Sequence, residues 1–305
     1  MLAQGYPKSF GVGVIATSGS LGILIPPSIV MIIYAVSTSE SAGKLFIAGI
    51  VPGLLLAGCL MLVTYLTARR RKLPTQPRVS AAELWIAFRE SLWGLVLVVI
   101  IMGGIYGGVF TPTEAAAAAC GYALIYGLAS GRADFVRNLV PTALRALNLT
   151  AVVMFLVGCV GVFQFLAANL YWPQKITEIV TGWGLTPIGF TFAFMGVLLL
   201  LGMFVDGVAM VLLTVPVVFP VAYALEIDPI HLGIMLALAV EMSVVTPPVG
   251  LNLFAVSGTA KIPVTEVVKG SVPFFLGDFI VLLLVIFFPV LAIWLPNLLV
   301  KSVFN

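Results

Sequence analysis

Between residues 12 and 36 the chain carries no charged side chain, yet Pro26 and Pro27 stand in the middle of that run. An uncharged stretch this long meets the requirement of roughly 20 helical residues for crossing a hydrocarbon core. A regular helix cannot pass through its centre. Each proline lacks a backbone N–H, its ring clashes with the preceding turn, and the residue before it is pushed out of helical geometry. Ser18, Gly19, Ser20 and Gly22 loosen the turn just before. Broken backbone leaves amides and carbonyls unpaired, which hydrocarbon does not tolerate unless they face protein, water or a ligand. Two readings are open: a proline-kinked structural helix, or two half-helices around an ion or substrate site.

The rest of the chain is of the same kind. Of its 305 residues 61% are apolar and 9% charged, and the mean hydropathy is +1.19. That composition predicts an all-α polytopic membrane protein, because a barrel would show short alternating segments in place of long apolar runs. A formal net charge of +3 is too small to suggest a nucleic-acid partner. Cys59, Cys120 and Cys159 lie in apolar segments without CxxC spacing, and there is a single histidine, so neither a disulfide framework nor a metal site of the Cys/His kind is supported. The first ten residues lack a charged region followed by an apolar one, the pattern of a cleaved signal.

In chain order, a span is expected at 45–66, ending in the basic run Arg69, Arg70, Arg71 and Lys72. Residues 79–90 place Leu84, Trp85 and Phe88 at helical spacing among charges, the pattern of a helix lying in the interface. Spans are expected at 92–110 and 113–129, with Pro112, Thr113 and Glu114 opening the second so that the acid meets the helix dipole. A second interfacial helix is expected at 132–145, a span at 147–171, and a polar loop at 172–183. Residues 188–205 and 208–223 are joined only by Asp206 and Gly207, which predicts a re-entrant hairpin; Pro216 and Pro220 argue against one long helix. Residues 230–240 lead into a second break, EMSVVTPPVGLN at 241–252. The last span is expected at 274–295, interrupted by Asp278.

If the run at 69–72 is cytoplasmic, alternation puts Lys8, Arg78, Arg89, Arg132, Arg137, Arg145, Lys261 and Lys269 on the same side and only Lys44, Lys175 and Lys301 outside. The two breaks also match. Pro27 precedes Pro52 by 25 residues, as Pro248 precedes Pro273, and Gly49 and Gly270 each stand three residues before the second proline. Gly5-Tyr6-Pro7 faces Ile227-Asp228-Pro229, one residue out of step. The charge map runs the two broken helices in opposite directions. This is an inverted-topology repeat, an arrangement that places substrate and ions at the membrane midplane between discontinuous helices. Repetition favours the ion-site reading over the kink.

SGSLGILIPPSI, GGIYGGVFTPTEAAA, the MFVDG hairpin with its proline-rich second limb, IDPIHLG and TPPVGLNLF follow one another across essentially the whole chain. Together they resemble the large membrane subunit of TRAP (tripartite ATP-independent periplasmic) transporters, in the ion transporter superfamily. The resemblance implies an inverted-repeat, elevator-type transporter in the bacterial inner membrane. It implies sodium-coupled uptake of small organic anions, of C4-dicarboxylate or sugar-acid type, with no organic cofactor. A periplasmic substrate-binding (P) protein would deliver the solute and a small membrane (Q) subunit would complete the complex. It also implies scaffold helices and a first hairpin ahead of Gly5, so an N-terminally truncated chain is expected, and a non-functional or scaffold fragment is the alternative. The expected organisation is a first-repeat broken helix and span at 1–68, with its hairpin absent, then a basic loop and interfacial arm at 69–91. Second-repeat scaffold helices follow at 92–185, with an arm at 132–146, and then hairpin, broken helix and last span at 186–305.

Sodium is a hard cation that takes carbonyl and hydroxyl oxygens, and a broken helix supplies both. One sodium site is expected at Ser18, Gly19 and Ser20 and its counterpart at Val245, Thr246 and Pro247, with capping of half-helix ends as the alternative role of the hydroxyls. Half-helix N-termini and Asn252 are the candidates for a substrate carboxylate, with Pro27, Ser28, Pro248 and Gly250 beside them. Asp206, at the hairpin tip, either helps hold sodium or locks the hairpin through backbone hydrogen bonds. Glu241 is a further acid beside the second break, with cation binding, proton coupling or exposure in a cytoplasmic vestibule open. Asp278 is expected to pair with Lys269 or a neighbouring helix, and His231 to cap a helix or sit at an interface. An intramembrane enzyme is disfavoured, since Ser18 and Ser20 have no partner base and Asp206 and Asp278 share no motif.

Overall fold

The computed structural model describes residues 5–74, 79–131 and 133–303; Arg78, Arg132 and the side chain of Lys301, used in the charge map, lie outside them. Among the described residues there are thirteen α-helices and no strand. Five helices are long and apolar enough to cross a membrane, so the protein is an all-α polytopic membrane protein. The chain divides into two compact units, Met1–Pro74 with Val160–Asn305, and Thr75–Cys159.

The first unit opens with α1 (Lys8–Ser20), one turn of 3-10 helix at Leu21–Ile23, α2 (Ile29–Thr38) and α3 (Ala42–Arg70). Its later part holds the end of α6 (Ala133–Asn169), then α7 (Trp172–Gly182), α8 (Pro187–Gly202) and α9 (Gly207–Ala224). It closes with α10 (Pro229–Ser243), α11 (Leu251–Ala260), α12 (Val264–Phe287) and α13 (Val290–Val303). At the centre is α10, buried from Ile230 to Ser243 and packed against α2, α3, α8, α9, α12 and α13. A helix apolar all round must be enclosed in this way. α1 crosses α12 where two glycines remove the side chains: a Cβ on Gly13 would lie 2.3 Å from the Gly270 carbonyl carbon, and one on Gly270 would lie 1.9 Å from the Ser9 oxygen.

The second unit holds α4 (Ala81–Tyr106), α5 (Pro112–Ala129) and the first part of α6. α4 and α5 pack through Trp93 stacked on Tyr126 and through Tyr122 Oη donating to the Trp93 carbonyl at 2.9 Å. Ser80 with Glu83, and Thr111 with Glu114, form reciprocal capping boxes that start α4 and α5. Glu114 is thus a first-turn acid, as expected. Of the small residues before α5, Gly104 near the end of α4 lies against Phe110 of the loop that follows, and Gly103 faces open space.

Four expectations are corrected. The interfacial arms at 79–90 and 132–145 are not separate helices: α4 and α6 run through arm and span without a break, Pro141 included. Nothing in either junction stops a helix, and the amphipathic pattern marked a change of surroundings. The stretch 172–183 is α7, started by Pro173 in its first turn and amphipathic enough to lay Val180 against α9. The last span is α12, which ends before Pro289; α13 then packs on α3. The hairpin at 187–224 forms with its break at 203–206, but Pro216 and Pro220 do not interrupt α9. Pro216 cannot donate to the Leu212 carbonyl one turn earlier, and Gln164 Nε2 donates to that carbonyl instead, at 3.1 Å.

Candidate functional site

Each break begins where α1 or α10 runs out. α1 continues through Ser18 and Gly19 and ends at Ser20, so these expected ligands are helical, and Ser18 and Gly19 are exposed. The irregular backbone follows, at 24–28. There the carbonyls of Leu24, Ile25, Pro26 and Pro27 accept no hydrogen bond among the described residues. Gly49 of α3 lets the Leu24 carbonyl approach, since a Cβ there would lie 2.7 Å from it. Ser28, buried, caps α2: its Oγ accepts from Met31 N at 3.5 Å and donates to the Ile23 carbonyl. Pro27 is exposed.

The second break runs from 244 to 250. Asp228 starts its helix, accepting from the backbone N–H groups of Ile230 and His231 at 2.8 and 2.9 Å. His231 is therefore not the cap; it is buried with Nε2 2.7 Å from the Val285 carbonyl on α12. Beyond Ser243 the carbonyls of Val245, Thr246 and Pro247 accept no hydrogen bond among the described residues. Thr246 Oγ1 donates back to the Met242 carbonyl at 2.7 Å. Gly250, at φ 57°, turns the chain into α11, a left-handed conformation that suits glycine. Asn252 closes the break, its N–H donating to the Val244 carbonyl at 3.0 Å. Its Nδ2 reaches the Ala16 carbonyl of α1 at 3.4 Å. Pro248 is exposed. Both Pro-Pro peptide bonds are cis.

One contact between the two halves joins positions that the repeat makes equivalent. The shift of 221 that carries Pro27 onto Pro248 also carries Ser20 onto Glu241. These equivalent positions touch: Ser20 Oγ is 2.5 Å from Glu241 Oε1 and 2.7 Å from the Thr17 carbonyl, and both residues are buried. The sequence singled out each residue without joining them; the signal was the repeat interval itself. Glu241 faces the interior between the two halves and is 0% exposed, which removes the vestibule role.

Asp206 is exposed and caps α9, accepting from Val208 N at 2.9 Å. The hairpin tip lies on the last turn of α10: a Cβ on Gly207 would meet Val240 at 2.5 Å, and one on Gly202 would meet Ser243 Oγ at 2.2 Å. Asp278 is 0% exposed on α12 and does not pair with Lys269, which lies 3.4 Å from Glu266 instead. The chemistry gathered here is neutral oxygen plus two buried carboxyls, Glu241 and Asp278. Among the described residues no three His, Cys, Asp or Glu side chains form a metal-binding group, so the donors suit a hard cation.

The description "Tripartite ATP-independent periplasmic transporter, DctM component" belongs to a family model that matches residues 1–291. The chain belongs to this family. It is 44% identical over 297 residues to the C4-dicarboxylate TRAP transporter large permease protein DctM of Pseudomonas aeruginosa, covering 97% of this chain and 70% of the relative. It is 40% identical to the ectoine/5-hydroxyectoine TRAP transporter large permease protein UehC of Ruegeria pomeroyi, over 98% of this chain and 70% of that one. To the sialic acid TRAP transporter permease protein SiaT of Haemophilus influenzae it is 34% identical, over 98% of this chain and 49% of the other. The family and these relatives are transporter permeases, not enzymes. The motifs that carry the family resemblance, around the two Pro-Pro pairs and the MFVDG hairpin, are the segments that meet on α10.

Proposed function

We propose that this TRAP permease couples sodium to the uptake of a small organic anion by an elevator-type movement of its broken-helix core. The relatives named for C4-dicarboxylate share 42 to 44% identity with the chain, which favours a C4-dicarboxylate over a sugar acid. A substrate-binding protein delivers the anion from the periplasm and a small membrane subunit accompanies the permease. The bare carbonyls of the two breaks are the single observation that carries the reading. Backbone oxygens without donors are costly at membrane depth unless protein, water or a cation meets them. Val245, Thr246 and Pro247 hold one sodium ion. The turn at Ser18, Gly19 and Ser20, with the carbonyls that follow it, holds the other. Asp206 fixes the hairpin tip against α10. The N-termini of α2 and α11, with Ser28, Gly250 and the second N–H of Asn252, face the substrate carboxylate, flanked by Pro27 and Pro248.

The test is uptake of a labelled C4-dicarboxylate by proteoliposomes holding the permease with a cognate small subunit and binding protein. Uptake driven by an inward sodium gradient and lost when potassium replaces sodium supports the reading. Equal uptake in both salts overturns it.

A further inference from the structure

The Glu241 and Asp278 carboxyls are the two fully buried acids of the first unit, each 0% exposed, on α10 and α12, which pack together. The two helices are registered by His231 Nε2 against the Val285 carbonyl at 2.7 Å, a contact ten residues before Glu241 on α10 and seven after Asp278 on α12. Of their four carboxyl oxygens one meets Ser20 Oγ; Glu241 Oε2, Asp278 Oδ1 and Asp278 Oδ2 have no hydrogen-bond partner. Among the described residues no cationic side chain reaches them. Lys269 is with Glu266, and His231 is with Val285 near the opposite end of α10. Cys59 Sγ, the remaining titratable group beside Asp278, donates weakly to the Gly277 carbonyl at 3.7 Å. Buried carboxylates are found paired or coordinating a cation, because desolvation without compensation is prohibitive.

The geometry points to a further cation site here, in which Glu241 and Asp278, with Ser20 Oγ, hold one sodium ion at the seam between the two repeats. This rests on the sodium-coupled reading above and adds to it a ligand set of side-chain carboxylates, distinct from the backbone carbonyls of 245–247. Three bare oxygens gain a partner and the buried negative charge is halved. Two carboxylates without a third acid or a histidine do not make the cage of six to eight oxygens that calcium takes, or a transition-metal site. A monovalent hard cation fits. Its place also matters: Glu241 stands four residues before Val245, and Ser20 four before Leu24, so the occupant ties the last turns of α1 and α10 to α12 just ahead of both breaks.

Binding of radioactive sodium to the purified chain in detergent tests this, with Glu241→Gln, Asp278→Asn and the double variant beside the wild type. Both changes keep size and shape and remove charge, and size-exclusion profiles check that the variants fold. The expected result is one sodium ion fewer per chain in the double variant. The single variants should show half-saturating sodium raised by about tenfold or more, since losing even an outer-shell partner of a metal ligand costs about that much. Sodium binding that is unchanged in number and affinity in the double variant overturns the proposal and leaves the carbonyl sites standing. Wild-type chain that binds no sodium overturns the sodium-coupled reading itself. A wild type whose sodium binding matches the double variant's, while the two differ in proton uptake, overturns sodium as the occupant.

Discussion

The Thr246 hydroxyl spends its hydrogen on the Met242 carbonyl at 2.7 Å, which leaves its oxygen able to ligate a cation beside the bare carbonyls of Val245 and Pro247. Thr246→Ala removes that oxygen without disturbing the prolines. Half-saturating sodium for uptake should rise roughly fivefold, the equivalent of about 1 kcal/mol for one neutral oxygen contact, and Thr246→Ser should restore it. An unchanged sodium titration in the alanine variant removes Thr246 from the site. Asn252 was legible as a polar residue at the start of a half-helix, and it is there. Its bond to the Ala16 carbonyl was not, because nothing in one broken helix says which partner helix it will meet. Ser20 and Glu241 are the instructive pair. Each is an ordinary polar residue near a break until the repeat is taken as an exact interval, and then they become equivalent positions that a two-fold arrangement brings face to face.

Among the elements, what could be read in advance follows whether the cause is local. The breaks at Pro26-Pro27 and Pro247-Pro248 were legible because proline acts on its own turn. The hairpin at Asp206 was legible because two apolar limbs had no loop between them. The continuity of α4 and α6 was not, since an amphipathic stretch beside an apolar one looks the same whether or not the backbone pauses. Pro216 shows the opposite failure, a breaker whose consequence is cancelled by a partner 52 residues away, Gln164. That cancellation can be measured. Gln164→Leu leaves the half-buried Leu212 carbonyl bare and should cost about 1–3 kcal/mol, read as a lower melting temperature in detergent. Pro216→Ala restores the backbone donor and removes a helix breaker, so it should be neutral or stabilising alone and should rescue Gln164→Leu; two additive effects would refute the coupling. The crossing of α1 and α12 is stricter still. Gly270→Ala puts a methyl group 1.9 Å from the Ser9 oxygen, and backbone cannot swing aside as a side chain does. A loss of about 1–3 kcal/mol or more is expected for that overpacking, and an alanine variant that melts with the wild type would mean the two helices do not cross there.

For the molecule as a whole, the repeat makes a statement about direction that no single helix makes. α3 is 29 residues long, about 44 Å at the helical rise, and its strongly apolar window is bounded by Ser39 and Ser41 at one end and by the basic run at Arg69, Arg70, Arg71 and Lys72 at the other. Basic residues at one end of a span are held in the cytoplasm, so the chain is expected to pass inward through α3. Its repeat partner α12 begins after Lys261 and carries Lys269 in its second turn, so it is expected to pass outward. Ser39, Lys72 and Lys261 are exposed turn residues at positive φ, where a cysteine disturbs little. In a background with Cys59, Cys120 and Cys159 replaced, Ser39→Cys should react in intact cells with a thiol reagent that does not cross membranes. Lys72→Cys and Lys261→Cys should react only after the membrane is opened. Lys72→Cys labelled from outside would reverse the orientation. Lys72→Cys and Lys261→Cys on opposite faces would leave the orientation of α3 intact but make the two breaks parallel, and the seam at Ser20 and Glu241 would then need an explanation other than inverted repetition.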